Sequence, residues 1–194
     1  MNGPIRSFNL INRHTFSTKD LELQQNQRTI LWIHVNTGFL SKPQLNLHQN
    51  GPSGPIVASA KLRNFSSGIQ VSLGGGPWAD VPAEGFITKQ YPFYFGDRKF
   101  VWRRTRDGAL GASTFGAGDF KLLDASNEGV VLAVWISDNK WFNMHEIGRV
   151  DWFVDLGRDL EVFALIVILG IGEKLRRDSS GAAGGASGGG GGGG

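Results

Sequence analysis

Apolar and polar residues alternate in short runs along this chain, and Gly or Pro breaks the alternation roughly every ten residues. Such spacing predicts many short strands in a barrel or sandwich. In a strand over residues 56–63, Ile56, Ala58, Ala60 and Leu62 share one face, and Val57, Ser59, Lys61 and Arg63 share the other. Leu31, Ile33 and Val35 oppose Ile30 and Trp32 in a strand over 29–35. Ile69, Val71 and Leu73 oppose Gln70 and Ser72 in the next. The same pattern predicts strands over 99–105, 119–123, 130–137 and 147–154, with less regular ones over 6–11, 45–48, 86–89 and 92–95. The sum is about eleven strands. Residues 73–85 and 107–118, rich in Gly, Pro and small side chains, are expected to be long loops. Residues 19–28, rich in Gln, Asp and Glu, read as a helical turn or a solvated loop.

One stretch breaks this pattern. From Val162 to Leu169 every residue is apolar. The run is far shorter than the ~20 residues that span a bilayer, which leaves a strand buried on both faces or a helix buried all round. Its β-branched residues favour the strand, and its flanks favour the helix. Asp159 stands where an N-cap would, Glu161 falls in the first turn, and Lys174, Arg176 and Arg177 crowd the far end, where cations suit the helix dipole. A helix from Leu160 to Arg177 would be ~27 Å long. A barrel of more than about eight strands leaves a lumen that needs filling. A helix apolar on every side suits a plug. The residues by themselves thus predict a mainly β domain of about eleven strands with a buried hydrophobic C-terminal helix at about 160–177 as the plug of a barrel. Residues 1–178 form the domain and residues 179–194, all Gly, Ala or Ser, a disordered tail.

Charge and composition narrow the chemistry. Twenty Lys and Arg stand against 17 Asp and Glu, a net of +3. This is too little to argue for nucleic acid by itself, so any electrostatic role needs local clustering. With no cysteine there is no disulfide, Cys-zinc site or Cys nucleophile. The first residues lack the apolar core of a signal peptide, which predicts a cytoplasmic protein, peripheral at membranes where a lipid site operates. Without a secretion signal the sequon Asn64-Phe65-Ser66 reads as chance.

Two local motifs carry a family resemblance. Lys61-Leu62-Arg63-Asn64, followed by Gly68, resembles the Lys-Leu-Arg-Ser-Asn strand of tubby proteins and its downstream Gly. Phe163-Ala164 and Lys174-Leu175 resemble the opening and closing pairs of the tubby central helix. In strand-then-helix order the resemblance covers roughly residues 5–178 of the chain. The spacing shifts slightly within the helix, and Phe65 follows Asn64 where tubby has a different run. The chain thus resembles the tubby C-terminal superfamily, which includes LURP-one-related proteins and phospholipid scramblases, and its texture is closest to the small LURP-one-like members. The resemblance implies the fold, a closed antiparallel β-barrel of about twelve strands around a buried hydrophobic C-terminal helix. It also implies that Lys61 and Arg63, matching the tubby Lys and Arg, bind phosphoinositide phosphates.

Each further candidate has a plain structural alternative. Period two places Lys61 and Arg63 on a polar strand face, where Arg offers a fork and Lys a point charge to phosphate; an ordinary solvated face is the alternative. Residues 98–106 are the densest basic stretch. Lys99 and Arg103 would face away from Phe100 and Trp102 and could extend a phospholipid-binding patch, if the strands lie close. Core aromatics with solvated cations are the simpler explanation. Asp151, Asp155 and Asp159 recur every four residues, and acidic residues near the helix are proposed calcium ligands in scramblases. The spacing is not that of a calcium loop, and capping explains it more simply. The histidines show no ligand spacing, and Gly74-Gly75-Gly76 lacks the Lys-Ser/Thr of a phosphate loop. Gly76-Pro77-Trp78 matches the lipocalin Gly-x-Trp in letters but lies mid-chain. No nucleophile–base pair is evident.

The reading that results is a non-enzymatic domain with no cofactor, no metal, no nucleic-acid partner and no transmembrane span. It binds anionic membrane phospholipid, a phosphoinositide, at a membrane surface through Lys61, Arg63, Lys99 and Arg103. The alternatives are a protein-interaction or structural barrel with an unknown protein partner, and a scramblase-like lipid-moving protein. Convergence of the basic residues on one concave face would favour lipid, and scatter would favour the interaction barrel.

Overall fold

The computed structural model describes residues 3–12, 20–36, 43–63, 68–85, 89–114, 118–138 and 146–184. They contain twelve strands in one antiparallel sheet: β1 (Arg6–Asn12), β2 (Asp20–Gln25), β3 (Arg28–Val35), β4 (Leu45–Gln49), β5 (Ile56–Leu62), β6 (Ile69–Leu73), β7 (Ala79–Val81), β8 (Gln90–Phe95), β9 (Arg98–Arg104), β10 (Phe120–Asp124), β11 (Asn127–Ser137) and β12 (Glu146–Trp152). One long helix, α1 (Arg158–Gly184), follows. Strands pair with their sequence neighbours from β1 to β7 and from β8 to β12, and β12 returns to β1. The seam between β7 and β8 is held by a reciprocal backbone pair. Glu84 N donates to Gln90 O at 2.8 Å, and Gln90 N donates to Glu84 O at 2.9 Å. The sheet is thereby a nearly closed barrel, one of the two architectures the alternation allowed.

On each alternating strand one face is buried, except that Ile56, on the face of Ala58 and Ala60, is 47% exposed. Leu31, Ile33 and Val35, Ala58 and Ala60, Ile69 and Val71, and Phe100 and Trp102 are all buried. Every residue from Phe163 to Leu169 is buried too, which a helix can achieve only when enclosed on all sides. The Trp102 indole donates to the Ala164 carbonyl at 3.0 Å, and the Phe93 and Phe95 rings both lie 5.5 Å from Phe163. Small residues bring the helix close to β5 and β6. A Cβ on Gly170 would stand 2.8 Å from Ile69 Cδ1 and 3.4 Å from the Ala60 Cβ.

Four expectations need correction. Residues 20–25 are the strand β2, where a helical turn or loop was expected. Leu21 and Leu23 point inward, and Asn26 and Gln27, at φ 50° and 64°, form the two-residue turn of a tight hairpin to β3. The polar composition hid this because Glu22 is itself buried, accepting from Gln24 at 2.8 Å and Thr29 at 2.6 Å. The expected loop over 73–85 contains β7, three residues whose pairing with β6 needs no long apolar run. Asp159 is not the N-cap. Gly157, at φ 80°, turns the chain before Arg158. Asp155 accepts from Gly157 N at 3.0 Å, and Glu161 accepts from Leu156 N at 3.2 Å. Lastly, Lys174, Arg176 and Arg177 do not end the helix. Buried Glu173 holds both arginines at 2.7 Å, and Arg177 donates onward to Asn36 O at 2.8 Å, so these residues fasten α1 to the wall. α1 runs on to Gly184. Residues 86–88 of the expected strand 86–89, and the tail from 185, lie outside the described residues.

In an up-and-down sheet all odd-numbered strands start at one end. β12 finishes there, so α1 begins there as well. This is the near end of the barrel, and the opposite one is the far end.

Candidate functional site

Lys61 and Arg63 point outward where β5 reaches the far end. Lys61 Nζ lies 3.9 Å from the centre of the Trp78 ring. Arg63 donates to Asp80 Oδ1 at 2.7 Å, and Gln70 donates to the same oxygen at 2.8 Å. Lys99 and Arg103 point outward from β9. Arg103 forks onto Glu128 with two bonds of 2.9 Å, and this contact holds the Glu128 carboxyl below the usual carboxylate range. Lys99 is exposed and has no ion pair among the described residues. From β5 to β9 is four strand positions around the wall, ~19 Å along the sheet at ~4.8 Å each. The structure therefore keeps Lys61 with Arg63 and separates both from Lys99 and Arg103. All four stand on the outer face, which is convex.

A different set of residues meets at the near end. Among the described residues the exposed large apolar side chains are Ile5, Ile30, Ile56, Trp78, Tyr94 and Val130, from 37% exposed at Trp78 to 64% at Tyr94. All but Trp78, which packs on Lys61 level with the middle of β5, lie at or within four residues of the near-end terminus of their strands. Ile5 precedes β1, Ile30 is third in β3, Ile56 opens β5, Trp78 precedes β7, Tyr94 is next to last in β8, and Val130 is fourth in β11. Three exposed cations at this end have no ion pair among the described residues: Arg28 at the start of β3, Lys99 at the start of β9 and Arg158 at the start of α1. Arg98 is paired. Its bond to Asp124, with those from the Ser126 hydroxyl and backbone, pulls the Asp124 carboxyl down to about 2. Asp97, Asp155 and Asp159 share this end, so its charge is close to balance.

Around the start of α1 the near-end mouth of the barrel is open. A cavity of about 540 Å³ separates the first turns of the helix from β1, β2, β3 and β12. Phe8, Leu23, Leu31, Trp152 and Leu165 give it apolar walls. Its mouth is polar: Arg6 donates to Glu161 and, at 3.3 Å, to Asp155, and Arg158 donates to the side-chain oxygen of Gln49. Two smaller clefts, about 380 and 330 Å³, flank the same helix start, and Arg158 borders all three spaces.

Of the residues singled out from sequence, Lys99 is at this end. Sequence reasoning missed Arg28, Arg158 and the exposed isoleucines. Their signal was present only as Ile5, Ile30 and Ile56 standing beside turns. The three aspartates before the helix take separate roles. Asp151 accepts from Arg149 at 2.9 Å, Asp155 closes the turn at Gly157, and Asp159 is exposed. No group of three His, Asp or Glu side chains that could hold a metal occurs among the described residues. No helix of the described residues is long and apolar enough to cross a membrane. No family model matches the chain, and no curated protein or solved structure matches it significantly.

Proposed function

We propose that this barrel is a non-enzymatic lipid-binding module that meets an anionic membrane surface with its near end. The observation that carries the reading is the gathering of exposed Ile5, Ile30, Ile56, Tyr94 and Val130 at that end, together with Arg28, Lys99 and Arg158. Isoleucines and a tyrosine enter the interfacial layer, and the three cations face phospholipid headgroups. Burying the exposed halves of Ile5, Ile30, Ile56 and Tyr94 gains about 1 kcal/mol each, and each cation adds ~1 kcal/mol. Against the cost of immobilising the protein, this total gives weak, reversible binding. Because acidic residues share the end, the apolar contacts carry the larger share and salt weakens the binding only in part. Of the four basic residues picked out from sequence, the reading uses Lys99 and assigns Lys61, Arg63 and Arg103 to their partners Trp78, Asp80 and Glu128. The resemblance to the tubby superfamily points to the same class of partner, and membership in it belongs to the proposal.

The test is co-sedimentation with vesicles of neutral phospholipid, alone or with a fifth of the lipid replaced by phosphatidylserine or a phosphoinositide. Binding is expected, strongest with anionic lipid. It should fall at least tenfold in an Ile5→Ser/Ile30→Ser/Ile56→Ser protein and stay unchanged in Lys61→Ala/Arg63→Ala. Loss of binding in the second variant alone would overturn this placement, and no binding at low salt would overturn the lipid reading.

A further inference from the structure

From the cavity beside α1 we infer a site for a single-chain anionic amphiphile: an alkyl tail lodged between the helix and the wall, and a carboxylate or phosphate head at Arg158. The space has the volume of a small-molecule site. A methylene takes up about as much room as a water in the liquid, ~30 Å³, so a chain of roughly 12 carbons fits. The polar lining residues, Arg6, Gln49, Asp155, Arg158 and Glu161, stand at the mouth, and the inner walls are apolar. Leu23, Leu31, Trp152 and Leu165 are all buried, and they offer the tail only carbon apart from one indole nitrogen.

The mouth selects the head. Arg6 is already shared between Glu161 and Asp155 and has no charge to spare. Arg158 differs. It borders the cavity and its only hydrogen-bond partner among the described residues is the neutral side chain of Gln49. A guanidinium held by an amide is positioned without being neutralised. An anion can then take one edge of its fork while Gln49 keeps the other. A cationic head would instead meet that guanidinium. Since Val162 borders both the cavity and the smaller cleft beside β5 and β6, filling its position closes the way in without touching the deep core.

The inference rests on the lipid reading only for where such a ligand originates; the site itself can be tested in solution. Titration calorimetry with dodecanoate, dodecyl phosphate and dodecyltrimethylammonium, each below its micelle concentration, tests it on the full chain. Dodecanoate and dodecyl phosphate should bind at one site and the ammonium at least tenfold more weakly. Arg158→Gln should remove that discrimination. Val162→Phe should abolish binding of all three with the melting temperature retained. No saturable binding to the wild-type chain, or binding that ignores both substitutions, would overturn the site. An Ile5→Ser/Tyr94→Ser protein, altered at exposed near-end residues that line none of these spaces, keeps the two readings apart. If it still takes dodecanoate but no longer sediments with vesicles, both stand. If the wild-type chain takes dodecanoate but never sediments, the cavity stands and the membrane reading fails.

Discussion

Asp124 carries the most sharply defined charge at the near end. Its carboxyl sits at about 2 against an ordinary 3.8, chiefly through Arg98 and then Ser126. A carboxyl lowered in the folded state stabilises the fold fully above the unfolded value. That contribution is lost as pH falls from about 4 to about 2. Arg98 is 61% exposed, so water screens the pair. The net is on the order of 1–2 kcal/mol. Asp124→Asn should therefore lower stability by that amount at pH 7, measured by urea unfolding, with the gap to wild type closing by pH 2. An equal gap at both pH values would contradict the assignment. Little of this was visible in sequence, because Arg98 and Asp124 meet only through the pairing of β9 with β10. The same holds for Lys61 and Arg63. Their outward direction followed from period two, but Trp78 and Asp80 reach them across strands β6 and β7, whose pairing no local pattern encodes.

Among the elements, the helix gives the clearest predictions. Ile166 is fully buried in the barrel, and Ile166→Lys should prevent folding, seen as loss of the cooperative thermal transition. A folded, soluble Ile166→Lys protein would mean that α1 is not the plug. Gly170→Leu should cost on the order of 3 kcal/mol or more, because the added side chain runs into Ile69 and Ala60 at the closest approach of helix and wall. Trp102→Phe should cost about 1–3 kcal/mol through the bond to the Ala164 carbonyl and the lost volume. The helix was legible because its apolar run is continuous and its flanks are charged. Its limits were not. The glycine before Arg158 decides where it starts, and the cations at 174–177 serve Glu173 and the wall. Strand β2 escaped detection for a related reason. A buried glutamate with its own hydrogen-bond partners makes an inward-facing strand look solvated.

At the scale of the molecule, an up-and-down meander makes the two barrel ends chemically distinct. Several far-end cations are tied to helix and wall, Arg177 to Glu173 and Asn36, Lys174 to the Arg63 carbonyl and Arg63 to Asp80, while Lys89 and Arg106 have no ion pair among the described residues. The near end keeps apolar side chains in water, three cations without acid partners and open space around the start of the helix. A barrel or sandwich of many short strands and a buried C-terminal helix could be read from alternation and one apolar run. Which residues shared an end could not, since that depends on strand count and on every strand being paired with its sequence neighbour. A single missed strand would have reversed the assignment of all those after it.

The most direct test of a membrane-facing near end uses the absence of cysteine. Single cysteines placed at Ile30, Ile56 and, on the far end, Arg106 can each carry a polarity-sensitive fluorophore. When vesicles containing anionic lipid are added, the labels at Ile30→Cys and Ile56→Cys should shift to the blue as they leave water, and the label at Arg106→Cys should not move. A shift at Arg106→Cys with none at the two near-end positions would contradict the account.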